Sequence, residues 1–174
     1  MHPMRPPPPL DRTPPPAALA FRRMDVGDLE RVMAIAREGF ANPWSPELLK
    51  RELAHDWSTV LVAIRPAGAA GSRGERIVGF IVYWLVHDEV HVLNIATALD
   101  ERRRGVARAL MGEAVARGRR AGAALATLEV RRSNEPALAL YRSLGYRQAG
   151  VRPNYYVDEG EDAIVMVTEL HGDG

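Results

Sequence analysis

The chain has 174 residues, a formal net charge of +1 and no cysteine, a composition that fits one domain with a substantial core. The near-neutral charge argues against general binding of nucleic acid, and the lack of cysteine excludes disulfides, thiolate metal sites and a cysteine nucleophile. No apolar run approaches the roughly 18 residues of a membrane span, and proline stands where a signal peptide has its apolar core, so we expect a soluble, cytoplasmic protein.

Residues 1–17 are dominated by proline, which predicts an extended or disordered tail ahead of a single folded domain at residues 18–174. A short strand is expected at residues 19–24, and Asp25 after it caps a helix. The apolar residues of this helix recur at helical spacing, at Leu29, Val32, Met33, Ala36 and Phe40. A second helix is predicted to begin at Ser45, because a proline follows it directly.

The rest of the chain alternates between strand-like and helix-like patterns. Strands are predicted at residues 59–64, 77–86, 89–96 and 125–130, and a glycine-rich connection at residues 65–76 joins the first two. A helix from Gly105 to about residue 121 lies between the last two, and such a crossover leaves those two strands parallel.

The last predicted elements are a helix at residues 134–144 and strands at residues 146–151 and 163–169, with a polar loop between these two strands. Together the elements predict an α/β (α+β) fold. Its sheet is mixed and mostly antiparallel, with a central parallel strand pair and flanking helices.

A basic loop between a buried strand and a helix is the most informative segment of the sequence. Arg102, Arg103 and Arg104 precede Gly105, where the helix begins. Free N–H groups and the positive end of the helix dipole meet there, which favours an anion and in particular a pyrophosphate. The alternative interpretation is a basic loop that is merely solvated.

Two side chains near this loop could carry acid–base chemistry. Glu129 lies near the end of a central strand and could act as a general base, or it could be a solvated carboxylate paired with Arg131. Tyr141 could donate a proton to a leaving group, or it could be an ordinary core aromatic. Asn134 is a natural helix N-cap whose carboxamide could also reach a cofactor.

Metal chemistry is not expected from this sequence. His87 and His91 lie in or near a hairpin turn with Asp88 and Glu89, which brings possible ligands together. The geometry of these groups across a strand pair is not specified by their spacing, however, so we predict no metal site.

Two segments resemble the GNAT family of acetyltransferases. Residues 128–146 (LEVRRSNEPALALYRSLGY) resemble the second half of that domain, and residues 102–107 (RRRGVA) resemble its pyrophosphate loop. The resemblance covers about residues 21–170, which is nearly all of the chain beyond the proline-rich segment. It departs from the common pattern at Ala107, where a second glycine is more frequent, and at residues 97–99, where the family often has V-x-P.

Further segments resemble those family members that acetylate the N-terminal alanine of a small-subunit ribosomal protein. They are residues 40–45 (FANPWS), 93–96 (LNIA), 152–156 (RPNYY) and 161–166 (EDAIVM). The resemblance therefore implies transfer of an acetyl group from acetyl-CoA to a protein N-terminus in a ternary complex.

The resemblance also implies a role for individual residues. Glu129 would be the proton acceptor and Tyr141 the proton donor. Trp44, Tyr155 and Tyr156 would line the path of the acceptor peptide. The cofactor contacts would come from Ile95, Ala96, Thr97, Arg102, Arg103, Arg104, Gly105, Val106, Ala107, Arg108 and Asn134.

Several functional questions stay open on the sequence alone. A backbone N–H near Ile95 or Ala96 could stabilise the carbonyl oxygen if a bulge frees it from sheet pairing. The acids at residues 158–162 could attract a basic peptide, or they could form a solvated loop. The same chemistry on a lysine or a small amine, a non-catalytic domain that binds coenzyme A, and a nucleic-acid binder are the alternatives.

Overall fold

The computed structural model describes residues 18–66 and 74–170. The predicted proline-rich tail lies outside these residues, as does the middle of the connection predicted at residues 65–76. Within the described ranges the strands are β1 (Ala20–Arg23), β2 (Ser58–Arg65), β3 (Arg76–Val86), β4 (Glu89–Thr97), β5 (Leu125–Arg131), β6 (Arg147–Tyr156) and β7 (Glu161–Glu169). The α-helices are α1 (Leu29–Gly39), α2 (Pro46–Ala54), α3 (Val106–Arg120) and α4 (Glu135–Ser143).

The strands form one mixed sheet in the order β1-β2-β3-β4-β5-β7-β6. Strands β4 and β5, which flank α3 in the chain, are parallel, and the other neighbouring pairs of the described sheet are antiparallel. This confirms the predicted fold class and its central parallel pair. Within the described ranges, no helix is long and apolar enough to cross a membrane.

Two hydrophobic clusters pack α-helices against both faces of the sheet. Side chains alternate along β3, so Phe80 packs with Val32 of α1 and Leu49 of α2, whereas the next residue, Ile81, packs with α3 and α4. The result is a helix–sheet–helix sandwich in which the central strands are buried on both faces.

Side-chain caps mark the start of α2 and of the short turn that precedes α1. The Ser45 hydroxyl accepts a hydrogen bond of 3.1 Å from the Leu48 N–H, which confirms the predicted start of α2. Asp25 differs from its prediction in one respect, because it caps a short 3-10 turn at Val26–Asp28 that then leads into α1. Its carboxylate accepts from the Gly27 N–H at 2.8 Å.

Strand β6 is longer than its sequence predicts. The prediction ended this strand at residue 151 and placed a polar loop after it, whereas β6 continues to Tyr156. The extension is mostly exposed, contains Pro153 and has an irregular register between Arg152 and Tyr156. An edge strand tolerates polar residues and proline, so the composition of this segment resembled that of a loop.

Strands β4 and β5 part before they end. Their registered pairs run from Glu89–Leu125 to Val92–Leu128, with none beyond in the described sheet. At the same point Leu93 is bulged out of the pairing with β3, since Val82 is opposite Asn94 and Tyr83 is opposite Val92. The parting opens the sheet directly beside the start of α3.

Candidate active site

A cavity of about 470 Å³ lies where β4 and β5 part. Its wall is formed by the end of α1, the end of β4, the basic loop and the starts of α3 and α4. The lining residues are Gly39, Phe40, Ile95, Ala96, Thr97, Glu101, Arg102, Arg103, Gly105, Val106, Ala107, Arg108, Asn134, Pro136 and Leu140. All the predicted cofactor contacts except Arg104 are therefore brought together at one place.

The basic loop has the backbone of an anion site. Gly105 precedes α3 in the left-handed conformation at φ 79°, and Arg103 is also left-handed at φ 63°. Left-handed residues in a turn direct successive backbone N–H groups toward one point, which suits a phosphate oxygen. Among the described residues no side chain caps α3, so its first N–H groups stay available.

A buried carboxylate, which sequence reasoning missed, anchors this loop. Glu101 is 3% exposed and forms ion pairs of 2.9 Å with Arg65 and 2.7 Å with Arg76. Arg76 also pairs with Asp100 at 2.7 Å. The acids preceding the triple arginine were visible in the sequence, but their partners lie on the β2–β3 hairpin and emerge only from strand register.

Two arginines of the loop region tie neighbouring helices to it. Arg102 donates a 3.2 Å hydrogen bond to the Glu38 carbonyl at the end of α1. Arg108, in the first turn of α3, donates a 2.7 Å bond to the Ser143 hydroxyl of α4. Asn134 caps α4 by accepting from the Ala137 N–H at 3.3 Å, as its position before a helix predicted.

Glu129 is largely buried, with 11% of its side chain exposed, and both of its carboxylate oxygens have partners. Its Oε2 lies 2.7 Å from His91 Nε2, and its Oε1 lies 3.4 Å from Arg152 Nε. The hydrogen bond with His91, aided by the charges of His91 and Arg152, lowers the pKa of Glu129, although burial acts in the opposite direction. Glu129 is therefore a carboxylate at neutral pH.

Sequence reasoning named the wrong neighbour for this carboxylate. Arg131 was considered as its partner, but the Arg131 guanidinium instead contacts Glu159 and Glu161 and lies 3.9 Å from the centre of the Tyr156 ring. The His91 partner was missed because strand register was needed to place it opposite β5.

Tyr141 is a core aromatic, as one of its two interpretations from the sequence predicted. It belongs to the core cluster around α3 and α4, with its ring centroid 6.0 Å from that of Tyr146. Burial raises its pKa to about 12, and the charge of Tyr156 acts in the same direction. The phenol therefore keeps its proton at neutral pH and has it available for an incoming acceptor.

Tyr156 interacts electrostatically with both of these groups. Its charge contributes to the raised pKa of Tyr141, and the charge of Glu129 contributes to the raised pKa of Tyr156, whose main cause is burial. Tyr155 packs against it at 5.2 Å between ring centroids and is largely exposed. Trp44 instead packs against the core cluster of α1 and α2.

The acids after Tyr156 are largely occupied by contacts with the end of β5, with Ser133 after it and within the β6–β7 hairpin itself. Glu159 and Glu161 pair with Arg131, and Glu161 also accepts from the Ser133 N–H at 2.7 Å. Asp162 accepts from the Asn154 N–H at 2.8 Å. These three carboxylates shape the hairpin that carries Tyr155 and Tyr156, which favours a structural role over a free acidic surface for a basic peptide.

In the described part of the chain, no group of three or more histidine, aspartate or glutamate side chains is arranged to hold a metal ion. His91, one of the candidate ligands considered from the sequence, is bonded to Glu129 instead.

Comparison with known proteins agrees with this geometry. Residues 29–146 match the model of the Acetyltransferase (GNAT) family. The chain is 32% identical over 149 residues to the ribosomal protein bS18-alanine N-acetyltransferase of Escherichia coli, covering 84% of this chain and 95% of that protein. It is 35% identical over 127 residues to the N-alpha-acetyltransferase RimI of Mycobacterium tuberculosis, covering 72% and 75%. The crystal structure of the Escherichia coli enzyme superposes with a TM-score of 0.76 at 30% identity, covering 90% of this chain and 97% of that one.

Proposed function

This chain belongs to the GNAT family of acetyltransferases, and from that premise we propose that it acetylates the N-terminal α-amino group of a protein, namely the N-terminal alanine of a small-subunit ribosomal protein. The family membership makes it an N-acetyltransferase that uses acetyl-CoA. The observation that carries the finer proposal is that the domain holds both a largely buried carboxylate, on β5 just past its last pair with β4, and a protonated phenol on the next helix, α4. The names of the relatives support the choice of acceptor.

The cavity suits acetyl-CoA by the chemistry of its lining. We assign the pyrophosphate to the left-handed loop at Arg103 and Gly105 and to the start of α3, where N–H groups and arginines meet. The pantetheine would lie along the end of β4, at residues 95–97, where the strand has parted from β5. Acetyl-CoA supplies the acetyl thioester, and the residues of this chain supply position and proton transfer.

Glu129 is assigned as the proton acceptor for the attacking amine. A free α-amino group has a pKa of about 8, so much of it is protonated and cannot attack. Complete proton transfer to an ordinary glutamate would cost about 5 kcal/mol, and the lowered pKa of Glu129 adds to that cost. Attack therefore starts from the neutral fraction of the amine, whose N–H proton becomes acidic as the new bond forms and passes to Glu129 directly or through a water molecule. Before that step, the carboxylate attracts the ammonium form.

Tyr141 is assigned as the donor to the departing sulfur. Full transfer from a phenol with a pKa of about 12 to an ordinary thiolate is uphill by about 5 kcal/mol. Tyr141 therefore acts first through a hydrogen bond that strengthens as negative charge develops on the sulfur. The bulge at Leu93 supports the expectation that an N–H near Ile95 or Ala96 faces the carbonyl oxygen.

The proposal is tested with purified protein, acetyl-CoA and a panel of amines. We expect turnover of peptides that begin with alanine and none of the same peptides with a blocked N-terminus and an internal lysine. Small amines serve as the comparison for the alternative acceptor class. Efficient turnover of lysine or small amines without turnover of free N-termini would overturn the assignment.

Two variants test the mechanism within the same assay. Glu129→Gln and Tyr141→Phe should each lower kcat by roughly 10²–10⁴-fold, the usual range for lost acid–base catalysis. Binding of acetyl-CoA, measured by calorimetry, should stay close to that of the parent chain. Unchanged turnover in both variants would remove the mechanism.

A further inference from the structure

We propose that His91 is a positioning residue for the base: it fixes the Glu129 carboxylate from within the sheet, so that the second oxygen faces the acceptor amine. The inference rests on the proposed function, in which Glu129 accepts the proton of that amine. It adds a residue that neither the family pattern nor the sequence assigned to the site.

The two strands bring these side chains together at the parting. His91 is in register with Thr127, and Glu129 follows two residues later on the same face of β5. That face is the one covered by α1 and α2, because the neighbours of both residues along their strands belong to the opposite cluster. The Glu129 carboxylate thus reaches back across the last paired rung to His91, at 2.7 Å.

The two oxygens of the carboxylate are held differently. Oε2 has the short bond to His91, whereas the partner of Oε1 within the described ranges is Arg152, at 3.4 Å and with a side chain that is 57% exposed. The long and exposed contact is the easier one to replace. An acceptor amine can therefore take the place of Arg152 at Oε1 while His91 keeps Oε2 fixed.

A line of contacts behind His91 holds the imidazole in place. The Trp84 ring on β3 lies perpendicular to the His91 ring, with 6.3 Å between centroids. Trp84 Nε1 donates a 2.8 Å hydrogen bond to Oε2 of the buried Glu52 on α2. Successive contacts therefore connect Glu52 on α2, Trp84 on β3, His91 on β4 and Glu129 on β5. These contacts restrict the position of the His91 ring and, through it, of the Glu129 carboxylate.

The groups that face Glu129 determine what loss of His91 does to its charge. They are His91 on β4 and Arg152 and Tyr156 on β6, while Glu52 faces Trp84. The hydrogen bond with His91 is the largest cause of the lowered pKa of Glu129, and burial opposes it. If this hydrogen-bond donor is removed, the effect of burial remains, so the pKa of Glu129 must rise.

His91→Phe and His91→Gln separate the hydrogen bond from the shape of the ring. Phenylalanine keeps an aromatic ring against Trp84 but has no donor, whereas the amide of glutamine can still donate to a carboxylate. We expect His91→Phe to lower kcat for an alanine peptide by roughly 10–100-fold, the range for losing a hydrogen-bond partner that orients a functional group, with KM for acetyl-CoA unchanged. The acidic limb of its kcat/KM profile should move to higher pH, and His91→Gln should recover most of both effects.

His55→Phe is the matched control. His55 stacks on Trp57 with 4.4 Å between ring centroids, and phenylalanine can keep that stacking. This variant should have the kinetics and pH profile of the parent chain.

Titration of the Glu129 carboxyl by carbon NMR, in protein without substrates, gives a readout that does not need turnover. The midpoint should rise in His91→Phe and return toward the parent value in His91→Gln. If the midpoint does not move in His91→Phe, or if kcat and the acidic limb of this variant are unchanged, the positioning role is overturned. Turnover by the parent chain would still support the proposed function. If the parent acetylates no peptide N-terminus, the proposed function fails, and the titration still decides whether His91 fixes the carboxylate.

Discussion

Tyr146 carries a polar atom that the core does not satisfy. Its side chain is 4% exposed, and its hydroxyl is buried with no hydrogen-bond partner among the described residues. A buried hydroxyl without a partner costs about 1–3 kcal/mol of stability. The aromatic ring, by contrast, packs with Tyr141 and belongs to the larger core cluster.

Tyr146→Phe should therefore stabilise the protein, by about 1 kcal/mol at neutral pH, because it keeps the ring and removes the unsatisfied hydroxyl. The change in the free energy of unfolding is measured by urea denaturation. Acetyl transfer should be unaffected, in contrast to Tyr141→Phe. A loss of stability would contradict the expectation and would indicate a partner for the hydroxyl, such as an ordered water.

Single residues also show where sequence reasoning stops. The period-2 pattern of β5 was sufficient to place Glu129 on the opposite face from Leu128 and Val130. It could not supply the partner of Glu129, because His91 is 38 residues away and meets it only through parallel register. Arg131, which lies on the same face, was the nearer candidate, but contacts from the β6–β7 hairpin hold it.

At the scale of elements, two glycines of α3 are alike in sequence and opposite in surroundings. A Cβ at Gly118 would lie 2.3 Å from Val90 Cγ2 of β4, so this glycine allows the helix to approach the sheet closely. A Cβ at Gly112, which is exposed, would have no neighbour within 4 Å among the described residues. The close approach at Gly118 fixes the far end of α3, away from the cavity.

Gly118→Ala should destabilise the protein by about 1–3 kcal/mol, because the methyl group overpacks a stiff β-branched neighbour. Gly112→Ala is the matched control and should stabilise it by about 0.5–1 kcal/mol, since alanine favours the helix and finds open space. Thermal and urea unfolding of the two variants measure both changes. Equal effects of the two substitutions would be inconsistent with the close contact between α3 and β4.

The basic loop depends on the ion pairs beneath it. Glu101→Gln should lower stability by about 3 kcal/mol, because the guanidinium groups of Arg65 and Arg76 would face a neutral amide in a buried site. Affinity for acetyl-CoA, measured by calorimetry under conditions where the variant is folded, should fall with it. Asp100→Asn is the control, since Asp100 is exposed and pairs only with Arg76 among the described residues. A fall of the same size in Asp100→Asn would show that burial of Glu101 is not what matters.

The elements most accurately predicted are those with strong local signals. Ser45 and Asn134 are residue types that cap helix starts, and both do so in the structure. The helix boundaries predicted from Gly105, Gly122 and Gly145 coincide with glycines in the left-handed conformation. Strand β6 was cut short in the prediction, because an exposed edge strand lacks the alternation that reveals a half-buried one. The bulge at Leu93 had no local signal either, since it arises from the pairing with β3.

On the scale of the molecule, the free energy of unfolding should be nearly independent of pH over a middle range. Paired carboxylates limit this range at low pH, and buried tyrosines limit it at high pH. Hydrogen bonds from Arg22 and His91 lower the pKa values of Asp28 and Glu129. Such carboxylates contribute stability above their unfolded pKa of about 4, and the contribution is lost as pH falls through the lowered folded values. Burial raises the pKa of Tyr141 to about 12, so its contribution is complete below about pH 10 and is lost as pH rises toward 12.

The urea midpoint should therefore be flat between about pH 5 and 9 and should fall on both sides. On the alkaline side each buried tyrosine should cost about 1.4 kcal/mol per pH unit once the unfolded form ionises. The double variant Tyr141→Phe, Tyr146→Phe should extend the plateau of the urea midpoint to higher pH, without changing how the midpoint falls at acidic pH. A midpoint of the parent chain that stays constant to pH 11 would contradict these raised pKa values.

The global arrangement was only partly accessible from the sequence. The strand–helix–strand order predicted the parallel pair β4–β5, because parallel neighbours need a crossover connection and α3 supplies one. The insertion of β7 between β5 and β6 had no counterpart in local patterns, since hairpin strands predict only that β6 and β7 are neighbours. The loop residues of the cavity were predicted through a family resemblance. The role of Glu101 could not be predicted, because its arginine partners come together only in the folded β2–β3 hairpin.

The separation of β4 from β5 leaves backbone amides whose hydrogen exchange can report on occupancy of the site. Past Val92, the amides of β4 directed toward β5 have no registered partner in the described sheet, while β4 stays paired with β3 as far as Thr97. Amides without a partner exchange with deuterated solvent much faster than amides in a ladder. Residues 94–97 should thus alternate between rapid and slow exchange in the free protein. They should become uniformly protected when an extended molecule carrying its own amides fills the gap, so deuterium uptake by this short stretch can measure site occupancy without any turnover.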